Sequence, residues 1–142
     1  MSITISTALS TYACDHGYNS AFDTNGILEF HDGQRPTTAD TTATGTNTLA
    51  SITLPANVFL DPSVAGVMTK AGVWATASAA ANGNATWFRF KLTTDSGTTG
   101  TTDIRLDGNV GTSGADMTMS TTAITQGSPI TVNTFTATVP KS

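Results

Sequence analysis

Alternation of apolar and polar residues is the strongest pattern in this chain. Its clearest case runs from Ala85 to Leu92, where large apolar residues and polar or amphipathic ones occupy opposite sides: Phe88, Phe90 and Leu92 against Trp87, Arg89 and Lys91. A period of two is typical of a β-strand. We expect the first side to face the core and the second to be solvated, with Trp87 lying across it.

A second strand is predicted after the Gly/Ser/Thr-rich turn at 95–102. There Ile104 and Leu106 alternate with Asp103 and Arg105. Two neighbouring strands with polar residues on one side each indicate a β-hairpin.

Shorter strands are predicted in the first half of the chain. Ile27–Phe30 is a short apolar run that ends at the turn signal His31-Asp32-Gly33, and Thr48–Leu54 carries Ala50, Ile52 and Leu54 on one side before Pro55. Glycines interrupt the next apolar stretch, Val64–Ala77, which fits one bent strand or two short ones. Asn82-Gly83-Asn84 then resembles a hairpin turn.

The C-terminal third predicts further strands. Met117 and Met119 alternate and lead to Ile124, and a turn follows at 126–129. In the last strand, two apolar sets have opposite parity: Ile130 and Val132, then Phe135, Ala137 and Val139. A β-bulge near Asn133-Thr134 would let both sets face inward.

One helix is predicted, from Ile5 to His16, because apolar and aromatic side chains recur there at spacings of four, three and four: Ile5, Leu9, Tyr12 and His16. Ser6 or Thr7 would cap it and Gly17 would end it. Thr and Ser inside the segment lower helix propensity, so we expect a short or irregular helix.

These elements predict an all-β fold, a single antiparallel β-sandwich of Ig-like or jelly-roll type with one short N-terminal helix. The length fits one domain over residues 1–142, with 1–24 as an N-terminal arm and helix. Residues 37–48 have no apolar period and are predicted to form an exposed loop or mobile arm that does not anchor the core.

Composition narrows the function classes. Thirty of the 142 residues are Thr, which favours strands, and the net charge is −4 with only six Lys and Arg. Such scattered basic residues argue against nucleic-acid binding. No run reaches the ~20 apolar residues of a membrane helix, the N-terminus does not resemble a signal peptide, and the lone Cys14 is interpreted as a small half-buried hydrophobe.

The segment Arg105–Asp116, RLDGNVGTSGAD, raises the question of a phosphate or metal site because it has glycines at 108, 111 and 114. A phosphate loop would need a lysine and a following helix, and neither is indicated. As a calcium loop it has Gly111 and Thr118 where oxygen ligands are required. We therefore interpret it as a glycine-built turn between two strands.

Other chemistry has little support in the sequence. Several acids lie in turn signals, namely Asp32-Gly33, Asp95-Ser96-Gly97 and Asp107-Gly108. His16 and His31 lie in different elements, and no G-x-S-x-G motif is present. We predict no catalytic, cofactor-binding or metal-binding residue. Trp74 and Trp87 could be stacking platforms for sugars, but we favour one capping the core and one covering the sheet face.

Several stretches in order resemble small virion proteins of tailed bacteriophages: an N-terminal helical segment, Ile27–Pro36 (ILEFHDGQRP), Ala85–Arg89 (ATWFR) and Asp107–Asp116 (DGNVGTSGAD). The resemblance covers about Ile27 to Val139. It implies a non-enzymatic particle component in the virion, assembled in the host bacterial cytoplasm. A head decoration (cement) protein is the first expectation, and a small tail, baseplate or fibre protein is the alternative.

The resemblance supplies no catalytic residues and implies partners among virion proteins, above all the major capsid protein. Particle proteins usually assemble symmetrically, so a homo-dimer or homo-trimer is expected. The alternation in SITIS suggests that Ile3 and Ile5 add a strand to a neighbouring copy. A carbohydrate-binding β-sandwich module is the next alternative, and a glycan-cleaving enzyme is the last.

Overall fold

The computed structural model describes residues 3–16, 20–43, 45–59 and 67–138, without the side chains of 14–16 and 138. Several predictions lie outside this part of the chain: the helix stop at Gly17, the beginning of the 64–77 stretch, the position of Val139, and the side chains of Cys14 and His16.

One helix and twelve strands are present in the described residues. In chain order they are β1 Thr4–Ile5, α1 Thr7–His16, β2 Gly26–His31, β3 Thr48–Thr53, β4 Val67–Thr69, β5 Ala75–Thr76, β6 Gly83–Asn84, β7 Trp87–Leu92, β8 Leu106–Gly111, β9 Met117–Thr118, β10 Ala123–Ile124, β11 Ile130–Thr131 and β12 Thr134–Thr138.

The main sheet has eight strands in the order β3-β2-β7-β8-β9-β12-β4, and β1 pairs with β8 beside this path. Two short ribbons, β10-β6 and β11-β5, complete the strand pairing of the described residues. The prediction of a mostly β fold with one short helix is confirmed. The prediction of purely antiparallel pairing is wrong, since β8 and β9 run parallel, with Val110 opposite Met117.

The core lies on the side of the sheet to which the alternation assigned Phe88 and Phe90. Both are fully buried. Their rings are 5.4 Å apart, and Phe90 lies 5.2 Å from Phe135. Burying each such side chain stabilises the fold by roughly 1.5–3 kcal/mol, and tilted ring pairs add to this.

The helix begins at Thr7, two residues later than its periodicity predicts. Ile5 belongs to β1 and pairs with Leu106, while the buried Ser6 caps the helix. Its Oγ accepts hydrogen bonds from the backbone N–H of Leu9 at 3.1 Å and of Arg105 at 2.8 Å. The predicted cap at Ser6 is confirmed, and this hydroxyl also fastens the helix to the chain just before β8.

The predicted hairpin of two long strands exists, but its second strand lies further along the chain. β7 and β8 are antiparallel, with Phe90 opposite Leu106 and Trp87 opposite Asn109. Half of the RLDGNVGTSGAD segment is therefore a central strand, so the interpretation of the whole segment as a turn is wrong.

Gly108 is explained by close packing. A Cβ at this position would lie 2.5 Å from Cζ of Phe88. Of the three glycines in the segment only Gly114 has a positive φ, 69°. The turn is confined to 112–116, and Gly108 serves the core instead.

Two further predictions concern the turn at 82–84 and the parity change in the last strand. Asn82-Gly83-Asn84 does not form a hairpin turn, because Gly83 and Asn84 pair with Ile124 and Ala123 as β6 and β10. The parity change in the last strand is confirmed. The strand is interrupted at residues 132–133, between β11 and β12. Both apolar sets are buried: Ile130, Val132, Phe135 and Ala137.

Candidate functional site

The second face of the main sheet carries a charged network. Glu29 on β2, Arg89 on β7 and Asp107 on β8 are direct cross-strand neighbours. The expectation that this face is solvated is wrong, since Arg89 is 3% exposed and Asp107 is fully buried. Two loops, at 37–48 and 93–104, supply the groups that cover it.

Arg89 and Asp107 form a two-pronged ion pair. Nε of Arg89 donates to Oδ1 at 2.7 Å and Nη2 donates to Oδ2 at 2.8 Å. Nη2 also donates to the backbone carbonyl of Thr41 at 2.9 Å, and the guanidinium carbon lies 5.5 Å from the Trp87 ring. Burial raises the pKa of Asp107, and the hydrogen bonds and charge of Arg89 offset only part of that rise.

Arg105 joins the two covering loops. Its Nε and Nη2 donate to the two oxygens of Asp95 at 2.7 and 2.8 Å. Nη2 also reaches the Thr98 carbonyl at 2.8 Å and Oδ2 of Asp103 at 3.2 Å, and Nη1 reaches the Asp40 carbonyl at 3.2 Å. One buried guanidinium therefore ties 37–48 to 93–104.

The ionisation of Asp95 and Arg105 reflects this pairing. Burial tends to raise the pKa of Asp95, but the hydrogen bond and charge of Arg105 and the N–H of Gly97 lower it below its usual value. The hydrogen bonds that Arg105 donates to Asp95 raise the pKa of Arg105. Both groups stay charged through the neutral range.

The loop at 37–48 is thus more than an exposed connection. Ala39 within it is fully buried, and Asp40 accepts a 2.7 Å hydrogen bond from the backbone N–H of Thr7 at the start of the helix. The expectation of an exposed segment is wrong for Ala39 and for the carbonyls that bind Arg89 and Arg105, although no described residue of the segment joins the apolar core cluster.

A third group surrounds Glu29. Its carboxylate lies 3.3 Å from Nε2 of His31 and 3.0 Å from Nζ of Lys91. Burial tends to raise the pKa of Glu29, but the hydrogen bonds and charges of His31 and Lys91 lower it below its usual value. His31 is stacked on Trp87 with ring centres 4.3 Å apart.

A cleft of about 160 Å³ opens between these groups and the loop at 42–43. Small-molecule sites commonly measure ~300–1,000 Å³, so this cleft is small for a substrate. Its polar side chains bind one another. Within the described part of the chain no group of three or more His, Cys, Asp or Glu is placed to hold a metal ion.

Every acidic side chain that the structure describes accepts a hydrogen bond from the chain itself. The eight residues are Asp23, Glu29, Asp32, Asp40, Asp95, Asp103, Asp107 and Asp116. The turn interpretation is confirmed for Asp95, which accepts from the N–H of Gly97 at 2.8 Å. It is wrong for Asp107, which lies within a strand.

Both tryptophans belong to the interior. Trp74 is 0% and Trp87 1% exposed, and their indole N–H groups donate to the carbonyls of Ala71 and Asp32 at 3.0 and 3.1 Å. Trp74 packs in the aromatic core and Trp87 on the charged face, as the favoured interpretation predicts. Neither indole has an exposed ring face on which a sugar could stack.

The network was not predicted from the sequence, although one signal existed. Arg89 and Asp107 each occupy the polar side of an alternating strand, where an oppositely charged cross-strand pair is a standard stabilising arrangement. Their burial depends on loops that have no regular apolar pattern, so periodicity does not reveal it.

Comparisons of the chain with family models, curated proteins and solved structures find no significant match. The resemblance to phage virion proteins therefore remains a prediction from the quoted residues. Among the described residues, no helix has the length and apolar character needed to cross a membrane.

Proposed function

We propose that this protein is a non-enzymatic structural component of a tailed-bacteriophage virion, a decoration (cement) protein that stabilises the head by binding the major capsid protein. We also propose that its strands form a single β-sandwich of Ig-like or jelly-roll type. The packing of residues from the main sheet and from both ribbons, such as Ile52, Ile124 and Ile130, into one core cluster supports a layered arrangement.

The observation that supports the proposal is that all eight described carboxylates are hydrogen-bonded within the fold. Acid–base catalysis needs a carboxyl group that is free to exchange protons with a substrate. Here each described carboxylate binds a backbone N–H, a hydroxyl or a basic side chain of its own fold. The charged side chains are arranged for rigidity, which suits a protein that works by staying folded on a particle.

The outward-facing residues suit contact with other proteins. Thr, Ser, Asn and Gly dominate the exposed positions of the described chain, and hydroxyl and backbone groups form many modest hydrogen bonds at protein interfaces. Such contacts add up when a protein binds a shell in many copies.

The test is to examine particles of the phage that encodes the protein, with and without its gene. The proposal expects periodic density for the protein over the head surface. It also expects particles without the gene to release DNA at a lower temperature, and added purified protein to restore the parent temperature, since binding stabilises the bound state.

Absence of the protein from purified particles would overturn the virion role. Density confined to the tail would replace the decoration role with the tail, baseplate or fibre alternative. An affinity gel of neutral glycans tests the carbohydrate-binding alternative, and the buried state of both indoles leads us to expect no retardation.

A further inference from the structure

Two asparagines of the described residues adopt the left-handed backbone conformation, Asn25 with a φ of 60° and Asn57 with a φ of 57°. Gly, Asn and Asp accept this conformation most readily, so the backbone restricts which residues can occupy these positions. Asn25 lies directly before β2. It is exposed, and its side-chain amide has no hydrogen-bond partner among the described residues.

Packing requires glycine after Asn25. A Cβ at Gly26 would collide with the backbone carbonyl oxygen of Phe22 and would lie 3.2 Å from Cδ1 of Leu54. Gly26 is buried at the start of β2, where close packing leaves its neighbours little room to move. The fold therefore keeps an Asn-Gly pair at this strand end.

An Asn-Gly pair carries its own chemistry. The backbone nitrogen after an asparagine can attack Cγ of the side-chain amide, which closes a five-membered succinimide ring and releases ammonia with the proton of that nitrogen. Water then opens the ring at one of its two carbonyl carbons. Opening at Cγ gives aspartate, and opening at the backbone carbonyl gives isoaspartate, in which the chain continues through the former side chain. Glycine favours the attack because no side chain shields its nitrogen.

The other Asn-Gly pair of the sequence, Asn82-Gly83, is held by the fold. Oδ1 of Asn82 accepts a 2.7 Å hydrogen bond from the backbone N–H of Gln126, and Gly83 pairs with Ile124 in the β6–β10 ribbon. Rotating the Asn82 amide towards the Gly83 nitrogen breaks the bond to Gln126. Asn82 therefore reacts only when this region opens, and opening costs free energy.

Asn57 separates the effect of backbone conformation from that of the following residue. It is exposed and has nearly the same φ as Asn25, but Val58 follows it. The branched side chain of Val58 shields its nitrogen, and its N–H donates to Oδ1 of Asp23 at 3.1 Å. Of these three asparagines, Asn25 alone combines a glycine neighbour with an unheld amide.

We propose that Asn25 is a site of spontaneous deamidation in the folded protein, and that Asn57 and Asn82 are protected. The Asn25 carbonyl accepts a 2.9 Å hydrogen bond from the N–H of Thr93, where the 93–104 loop begins. Isoaspartate lengthens the backbone by one carbon just before Gly26 and displaces that carbonyl. Ageing thus weakens the junction between β2 and this loop, independently of the virion role.

The experiment incubates the purified protein at mildly alkaline pH and follows each asparagine by peptide mass spectrometry. In the folded protein, Asn25 is expected to lose its amide about tenfold or more faster than Asn82, because local opening must precede reaction at Asn82. In urea, where the ribbon is open, the two are expected to react at similar rates. Asn57 is expected to react slowly in both conditions.

Asn25→Gly is the matched variant, because glycine accepts the positive φ and removes the amide. Aged parent protein is expected to unfold at a lower urea concentration than fresh protein, whereas aged and fresh Asn25→Gly proteins unfold at the same concentration. Equal rates at Asn25 and Asn82 in the folded protein would overturn the proposal. An Asn25 amide that persists in the folded protein while the urea-unfolded protein reacts would overturn it as well.

Discussion

The Arg89–Asp107 pair illustrates how a buried charge becomes a structural requirement. Removing two charges from water is expensive, and the two-pronged geometry recovers much of that cost. Removing one partner leaves the other buried without compensation. We expect Asp107→Ala to lower the free energy of unfolding by about 3–5 kcal/mol, measured by urea denaturation.

The Lys91–Glu29 pair is the control, because the Lys91 side chain is 25% exposed. Lys91→Ala should cost no more than about 1 kcal/mol. The double variant Arg89→Leu/Asp107→Leu should be more stable than the sum of the two single losses predicts. Equal losses in the free energy of unfolding for Asp107→Ala and Lys91→Ala would contradict the view that Arg89 is a buried charge that needs Asp107 as its partner.

Gly108 supports a second prediction. An added methyl group would lie 2.5 and 2.6 Å from two ring carbons of the buried Phe88, so the ring or the strand must move. We expect Gly108→Ala to destabilise the fold by about 1–3 kcal/mol. At Gly100 a Cβ meets nothing within 4 Å and φ is not positive, so Gly100→Ala is the matched control. Similar unfolding midpoints for the two variants would refute the packing argument.

The helix depends on one hydroxyl at its start. Ser6 Oγ accepts from the backbone N–H groups of Leu9 and Arg105, so Ser6→Ala removes two hydrogen bonds and leaves both buried N–H groups without this acceptor. We expect a loss of about 2 kcal/mol in thermal or urea unfolding. Ser10, exposed on the same helix, is the control, and Ser10→Ala should change stability by less than about 0.5 kcal/mol.

The two covering loops should separate from the sheet more readily in acid. The pKa of Asp95 is lower in the folded chain than its usual 3.8, so the folded state keeps this carboxylate ionised where the unfolded state protonates it. The resulting stabilisation is complete above that value and is lost as pH falls through the folded-state pKa. The lowered pKa of Glu29 also makes the folded state lose stability as the pH falls. The raised pKa of Asp107 has the opposite effect on stability.

The variant Asp95→Asn tests whether the charge of Asp95 causes this loss of stability in acid. The variant should be less stable than the parent at pH 7, and the difference should shrink as the pH falls below 3.8 and through the lower folded-state pKa, because the parent then loses the same charge. Urea unfolding at a series of pH values measures it. A difference that stays constant over the whole range would show that Asp95 acts by hydrogen bonding alone.

The strands and the helix were predictable where side chains alternate or recur with a clear period. β7, β3 and the broken final strand follow from their apolar parity, and the cap at Ser6 follows from its residue type. β8 was missed in part because Gly108 and Gly111 resemble a turn. Here Gly108 accommodates a neighbouring ring, and a local pattern carries no information about a residue from another strand.

The charged network was the least predictable part of the candidate site. Alternation correctly placed Arg89 on the face opposite Phe88, but burial of that face depends on loops at 37–48 and 93–104. Those loops are rich in Thr, Gly and Asp and are held by their carbonyls, which every residue type provides. The polar composition of these loops therefore led to a prediction of solvent exposure for a sheet face that is buried in the structure.

At the level of the whole molecule, the order of strands in the sheet matters more than their number. β2 and β7 are neighbours in the main sheet although they lie far apart in sequence: Gly26 pairs with Leu92 and His31 with Trp87. Most of the chain between them must be arranged before this pairing is secure. Sheets built from such distant partners fold slowly, in about milliseconds to seconds, because loop closure precedes the contacts that reward it.

We expect stopped-flow refolding, followed by tryptophan fluorescence, to have its main phase in that range. Complete recovery in microseconds would contradict a central β2–β7 pairing.

The same connectivity affects how long a folded copy lasts. The middle strands are covered on one side by aromatic rings and on the other by loops fastened to Arg89 and Arg105, so we expect loss of an edge strand to leave these middle strands in place. Escape from the native state requires opening the centre and both coverings together, which places the unfolding barrier high. We therefore expect a long lifetime of the folded state, whatever its equilibrium stability.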